Sequence, residues 1–540
     1  MAPLMDEPAW RSLQAEARSM ESPHRHLARL LAESDRIHRF SVSGGGLFFD
    51  FSRQRLTQET LELLLQLAEA RSVREMFGDM MAGAPLNITE GRAALHTATR
   101  HFGSAPVEVG GADAMPDIGR VRDQMADFSR RIHAGEIRGA TGKPFRHVVV
   151  VGIGGSYLGA EFVARALAAD ADAGVALHFL ANVDIHAFGE LAGWIDPETT
   201  LWVVISKSYT TPETLANTRQ IYAFLSAAGL DPARHVVTVT SQGSPGDDPA
   251  NPVLATFHMF DYIGGRYSVS SAVGGVPLSL YLGWDRFEAF LKGAEEMDRH
   301  ARDAAPERNL PLLAALVGIW NNNFLGYPAL GIIPYAEPLA RLASHVQQLY
   351  MESNGKRVSA EGAPVEHDTG VIVFGEPGTN AQHSFFQLAH QGRPFPMEFL
   401  GVLQSRYPQY TEQSRGVTNH QELWANLISQ PMALAMGRDH DDPARRFPGN
   451  RPSSTLVLEA LTPRNIGRLL SFYEARTVYE AFIWGINPFD QFGVELGKTM
   501  AADVREQMAR KNENPAHEPE GLDPYRTFYS RLLFEGQLPK

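Results

Sequence analysis

The spacing of apolar residues changes near residue 140. Before that point it is helical, as in Glu59–Ala70 and Val121–His133, and predicts a mostly helical region over residues 1–140. Arg146–Gly152 (RHVVVVG) is then a short β-branched run, with an apolar helical pattern behind it at Leu158–Ala169. Similar short runs recur at Ala176–Ala181, Leu201–Ile205 and Val236–Val239, with helical patterns between them. Strands apolar on both faces and alternating with helices predict a parallel sheet covered on both sides. Asp285–Arg302 reads as a long charged helix leading away from this unit. A second alternation follows, with strands predicted at Leu330–Pro334, Val371–Phe374, Met397–Leu400 and Leu456–Leu458. From about Pro463 the pattern is helical nearly to the end, apart from a turn around Asn487–Pro488. The predicted class is α/β: two parallel-sheet units, 141–302 and 303–500, between the N-terminal region and a helical arm at 501–540.

Composition narrows what such a chain does. None of the 540 residues is cysteine, which excludes disulfides, thiolate nucleophiles and cysteine-ligated metals and agrees with a reducing compartment. The opening MAPLMDEPAWRSLQAEARS has no basic start followed by an apolar core, so no secretion signal is expected. No run of ~20 apolar residues predicts a membrane span, and a cytoplasmic location is expected. With 49 basic and 62 acidic residues the net charge is −13, which disfavours nucleic acid as a partner. An anionic small molecule stays open, because a cleft can be locally positive on an acidic protein.

Two loops carry the first candidate chemistry. The strand at Val148–Val151 runs into Gly152-Ile153-Gly154-Gly155-Ser156, and a helix starts just after. Glycines let the backbone approach a ligand, and a helix N-terminus offers unpaired N–H groups to an anion. The dinucleotide fingerprint would need glycine at position 157, where this chain has Tyr157. A tight strand-to-helix turn remains the ordinary reading of that loop alone. The second loop, Ser206-Lys207-Ser208-Tyr209-Thr210-Thr211, gathers hydroxyls and a lysine before a helix whose first turn holds Pro212 and Glu213. Thr211 is the expected helix cap, but a cap uses one or two hydroxyls and this loop offers more. Two such loops at one edge of a parallel sheet can close on a phosphate.

Candidate acid–base groups lie elsewhere. Asp261-Tyr262-Ile263-Gly264-Gly265-Arg266-Tyr267-Ser268 puts Arg266 after a Gly-Gly turn, where it can be exposed in a cleft to stabilise an oxyanion. A surface or domain-bridging arginine is the ordinary alternative. Glu352, in MESNGK, is expected at a helix C-terminus, facing the negative end of the dipole. Such a place suits a general base. In GEPGTNAQH, Thr379 or Asn380 is expected to cap the helix Ser384–His390, leaving His383 in its first turn. Gln491, Glu495 and Lys498 follow one another at helical spacing and are expected to share one face, ordinarily a solvated one.

Together these segments resemble one family. VGIGGS, SKSYTTPET, GGRYS, MESNGK, GEPGTNAQH and NPFDQFGVELGK are similar, in this order, to the motifs of the phosphoglucose isomerase family. The resemblance runs from about Val148 to Lys498 and implies two sugar-isomerase (SIS) domains and a homodimer with its active sites at the subunit interface. It implies interconversion of glucose 6-phosphate and fructose 6-phosphate through a cis-enediol(ate), with no cofactor and no metal. By position, Glu352 would shuttle the proton between C1 and C2, and Arg266 would stabilise the intermediate. His383, contributed across the interface, and Lys498 would assist ring opening. Gly155, Ser156, Ser206, Lys207, Ser208 and Thr211 would hold the phosphate, while Gly265, Gln348 and Gln491 would contact the sugar. Tyr157, Ser208, Leu349 and Tyr350 depart from the usual pattern and leave room for altered affinity. An enzyme of the same architecture acting on another sugar phosphate, such as mannose 6-phosphate, is the nearest alternative. A non-catalytic sugar-phosphate sensor is the next, and it would not need Glu352, Arg266, His383 and Lys498 together.

Overall fold

The computed structural model describes residues 3–172 and 174–539. They fall into two compact units, Met1–Phe489 and Asp490–Lys540. No helix among the described residues is long and apolar enough to cross a membrane.

In the larger unit, helices α1 (Gln58–Ala70) and α2 (Met115–His133) agree with the predicted helical N-terminal region, but the segment before α1 departs from it. Residues 41–50 form a hairpin of two four-residue strands, β1 (Ser41–Gly44) and β2 (Leu47–Asp50), turning on Gly45 and Gly46 at φ +55° and +78°. Two left-handed residues match the twist of a tight hairpin, and glycine takes that conformation without strain. The Gly-Gly pair between short apolar runs was the available signal.

The first sheet contains β3 (His147–Val151), β4 (Ala176–Leu180), β5 (Thr200–Ile205), β6 (Val236–Ser241) and β7 (Ala255–Met259). Its order is β4-β3-β5-β6-β7, and every pairing is parallel. The central strands β3 and β5 are apolar runs buried along nearly their whole length, which is why they were legible. Strand β7 was not predicted; it lies at an edge, half-buried, and has no apolar run to mark it. Helix α3 (Leu158–Ala166) leads from β3 to β4, and α4 (Pro212–Ala227) leads from β5 to β6 on the other side. Neighbouring strands β3 and β5 thus send their chains in opposite directions, which opens a crevice at their carboxyl ends.

Helix α5 (Trp284–Asp303) then leads to the second sheet, which contains β8 (Ala329–Pro334), β9 (Ile372–Gly375), β10 (Met397–Gln404) and β11 (Ser453–Ala460). Its order is β1-β2-β11-β10-β8-β9. The strands β8 to β11 are mutually parallel, whereas the hairpin joins antiparallel through β2 and β11. This sheet is therefore mixed, and its far edge comes from the other end of the chain. Helix α6 (Leu342–Asn354) lies between β8 and β9 in sequence, and the short helix α7 (Phe386–Gln391) follows β9. Helix α8 (Pro463–Trp484) is buried along almost its whole length. The smaller unit contains α9 (Glu495–Glu513) and α10 (Pro524–Glu535).

Candidate active site

The two halves of the larger unit meet mostly where α5 packs on α8, and near the site they meet through α3 and α6. Arg341, just before α6, makes a forked contact with Glu161 of α3 at 2.5 and 2.8 Å. On the same interface the Phe162 ring stacks on His345. This contact brings the C-terminal turn of α6 to the glycine loop after β3. A Cβ on Gly154 would stand 3.1 Å from Gln348 Nε2, and that same nitrogen donates to Glu352 Oε1 at 3.2 Å.

The glycine loop also packs against the Gly-Gly-Arg segment. A side chain at Gly155 would lie 2.2 Å from the carbonyl carbon of Gly265 and 2.7 Å from the backbone nitrogen of Arg266. Ser268 Oγ donates to the Gly155 carbonyl oxygen at 3.3 Å. Position 155 therefore needs glycine for close backbone approach, with Ser156 next to it in the same 3₁₀ turn.

Arg266 corrects the expectation of an exposed arginine: it is 2% exposed. Its Nε donates to Ser353 Oγ at 2.6 Å, its Nη2 donates to the Pro488 carbonyl oxygen, and its Nη1 faces Glu352 Oε2 at 3.5 Å. Tyr267 shares the same serine, with its hydroxyl 2.9 Å from Ser353 Oγ. Ser353, Tyr267 and the Pro488 carbonyl were not singled out in the sequence. Ser353 lies inside MESNGK beside Glu352, which was the one signal for it. Glu352 stands third from the C-terminus of α6, as predicted. Its Oε2 is buried and accepts no hydrogen bond among the described residues. A carboxylate oxygen kept without a hydrogen bond beside a guanidinium is costly, so its place calls for a chemical reason.

At the other end of the crevice lies the loop after β5. Lys207, Ser208 and Thr211 line an open pocket of about 530 Å³ with Ser241, Gly243 and Asp261. The end of β6 and the loop after it, which supply Ser241, Gln242, Gly243 and Ser244, were missed, because their sequence lacks the lysine that marked the neighbouring loop. Thr211 precedes α4 but makes no side-chain cap, contrary to expectation; its hydroxyl instead lies 3.5 Å from Ser206 Oγ. Ser206 is buried and accepts from the Tyr209 backbone N–H, so its hydroxyl shapes the loop. Tyr209 takes φ +53° with its ring against Gly246, where a Cβ would come within 2.4 Å. Lys207 Nζ donates to the Asp261 carbonyl oxygen at 3.0 Å and pairs with the Asp261 carboxylate at 3.4 Å. Burial, with Arg92 nearby, pulls the Lys207 ammonium below its ordinary value. Ser208 is exposed, and its hydroxyl meets that of Thr210 at 2.6 Å.

Three further expectations are corrected. His383 closes a 3₁₀ turn, Asn380–His383, and α7 begins only at Phe386, because Phe385 (φ −114°) leaves helical geometry. Neither Thr379 nor Asn380 caps α7, and His383 is exposed. In the smaller unit, Gln491 is extended (φ −158°) ahead of the 3₁₀ turn Phe492–Val494, so it does not share a helical face with Lys498. Lys498 lies exposed in the first turns of α9.

A crevice edged with lysine and hydroxyls, opposite a carboxylate set against a guanidinium, is the layout expected of an enzyme that moves a proton on a phosphorylated substrate. The class it defines is the sugar-phosphate isomerases. A profile of the family described as "Phosphoglucose isomerase" matches residues 50–521. Over 534 residues the chain is 62% identical to glucose-6-phosphate isomerase of Desulfosudis oleivorans, covering 98% of each chain. It is 42% identical over 542 residues to a cytosolic glucose-6-phosphate isomerase of Arabidopsis thaliana, covering 96% of this chain and 95% of that one. The crystal structure of a glucose-6-phosphate isomerase from Chlamydia trachomatis matches with a TM-score of 0.89 at 37% identity, over 99% of this chain and 100% of that one. The chain belongs to the phosphoglucose isomerase family, which are aldose–ketose isomerases of sugar phosphates.

Proposed function

We propose that this chain interconverts glucose 6-phosphate and fructose 6-phosphate in the cytoplasm, as a homodimer serving glycolysis and gluconeogenesis. The observation that carries the mechanism is Glu352 Oε2, buried, without a hydrogen bond among the described residues and 3.5 Å from Arg266 Nη1. An aldose–ketose shift removes a weakly acidic C–H proton, which needs a positioned base. Glu352 takes the proton from C2 of the aldose and returns it to C1. Arg266, fixed by Ser353 and Pro488, holds the negative charge of the enediolate between those steps. The donors for the phosphate come from Ser156, Ser206, Lys207, Ser208 and Thr211, with Gly155 and Gly265 keeping the backbone close. Gln348 and Gln491 orient the sugar hydroxyls. His383, offered by the partner subunit from its exposed turn, and Lys498 serve ring opening. The two sheets head the sugar-isomerase domains 141–302 and 303–500, the second borrowing strands from the N-terminal region.

Purified protein should convert fructose 6-phosphate without added metal or cofactor, and keep doing so after exhaustive chelation. Glu352→Gln should lose ~10²–10⁴ in kcat while still binding a substrate analogue. In D₂O the wild type should carry deuterium into C1 or C2, and the variant should not. Near wild-type turnover and exchange in Glu352→Gln would show that another residue is the base.

A further inference from the structure

Beneath the base helix lies a buried polar chain that the proposed mechanism does not use. Tyr350, two residues before Glu352 and so turned to a different side of α6, donates its hydroxyl to Glu480 Oε2 on α8. Glu480 Oε1 accepts from Arg476 Nε at 3.1 Å. Arg476 Nη1 reaches Glu398 Oε2 of β10 at 3.0 Å, and the Tyr473 hydroxyl donates to Glu398 Oε1 at 2.5 Å. All five side chains are buried. The fold makes room for this chain: a Cβ on Gly318 would stand 2.4 Å from Glu480 Oε1. Beside it is a cavity of about 20 Å³, lined among others by Tyr350, Glu398, Arg476, Asn321 and Asn322. Asn321 Oδ1 and Asn322 Nδ2 have no hydrogen-bond partner there among the described residues, and the volume admits one water.

One guanidinium serves two carboxylates here, so Glu480 depends on a second donor. Burial pushes its carboxyl up to about 7 despite Arg476. A buried carboxylate that loses its donor bears the full cost of desolvation, which makes the Tyr350–Glu480 contact a firm tether. On its other side the same helical turn is held by Ser353 against Arg266. We propose that Tyr350 is a positioning residue for the isomerisation, its hydrogen bond to Glu480 fixing the last turn of α6 so that the Glu352 carboxylate stays aimed at the reacting carbon. The inference rests on the reading of Glu352 as the base. It gives a function to a residue at which this sequence departs from its family's usual pattern.

Steady-state kinetics with protiated and C2-deuterated glucose 6-phosphate test it. Tyr350→Phe should lower kcat about tenfold, or ~1.4 kcal/mol of barrier, leave KM within about twofold, and raise the isotope effect on kcat as proton transfer becomes slower. Glu480→Ala should do the same, and the double variant should be no worse than either single one, the sign of a shared contact. Glu480→Gln still accepts from the tyrosine and should keep most of kcat. If Tyr350→Phe fails to fold, the Gln and Ala variants at position 480 decide the matter alone. Tyr350→Phe with wild-type kcat, multiplying single effects, or KM rising in step with the fall in kcat would each overturn the inference. An inactive Glu352→Gln beside an unaffected Tyr350→Phe would sink only the tether. An active Glu352→Gln would sink the base itself.

Discussion

In the loop after β5 the hydroxyls are held mainly by near neighbours in the chain, whereas Arg266 is held by distant parts of the fold. Ser208 leans on Thr210 two residues away, and Ser206 on the backbone of Tyr209. Arg266 is fixed by Ser353, 87 residues on, and by Pro488, 222 residues on. The difference follows from what each end must do. A phosphate is a diffuse anion that several hydroxyls can satisfy in more than one arrangement. A proton shift needs a carboxylate and an oxyanion donor in one fixed relation, and only packed elements hold side chains that closely. Changes at the base end should therefore cost kcat and often stability, while changes at the phosphate end should cost affinity.

Arg266→Lys should widen that contrast most. A single ammonium cannot meet Ser353, Pro488 and Glu352 together, and loss of an oxyanion donor costs ~10²–10³ in kcat. Its KM should move far less, and an equal change in both constants would erase the distinction. Gly155→Ala tests the seam between the two ends, since the new methyl must displace the backbone of Gly265 and Arg266. Overpacking of this kind costs ~1–3 kcal/mol, so thermal unfolding should show a clear loss, with kcat falling about tenfold as Arg266 shifts. Ser208→Ala should raise KM roughly tenfold or more, at ~1.5–3 kcal/mol for a hydrogen bond to a charged group, with Tm almost unchanged. A lower Tm there would make the phosphate end as interlocked as the other.

The smallest effect is in pH. Burial pushes both Glu474 and Glu480 up to about 7 from an ordinary value of 4.5. Each shares one guanidinium with a second acid: Arg100 lies between Glu474 and Asp298, and Arg476 between Glu480 and Glu398. A carboxyl raised on folding contributes stability that is present below its unfolded value and is lost as pH rises through its folded one. Relative to wild type, Glu480→Gln should therefore gain Tm by a few degrees from about pH 5 to about pH 8. A constant difference across that range would mean that Glu480 stays ionised throughout.

Much of this was written locally. The buried runs of β3, β5 and β8, the glycines after β3 and the helix stop after Glu352 are short-range signals, and each was legible because one residue type answers one local demand. Hairpin β1–β2 and edge strand β7 were not read, since β1 (SVSG) has one apolar side chain to mark a strand and β7 is only half-buried along most of its length. Arg266 was misread for a related reason. A Gly-Gly turn says that the backbone bends but not what lies in front of it, and here two distant acceptors and the Glu352 carboxylate stand around the buried guanidinium.

The sequence by itself determined the α/β class, the positions of the loops at the strand ends and the chemical types brought to them. Those follow from hydrophobic period and backbone conformation, which act over a few residues. Only the tertiary structure decided that the hairpin at 41–50 would complete the second sheet, that α6 would pack on α3, and that Tyr350 would find Glu480 130 residues away. An apolar face records that it must be buried, and a polar group records that it needs a partner. Which surface and which partner they meet is settled when the whole core packs at once, because burial is non-directional and many faces fit it equally well until the rest of the chain is in place.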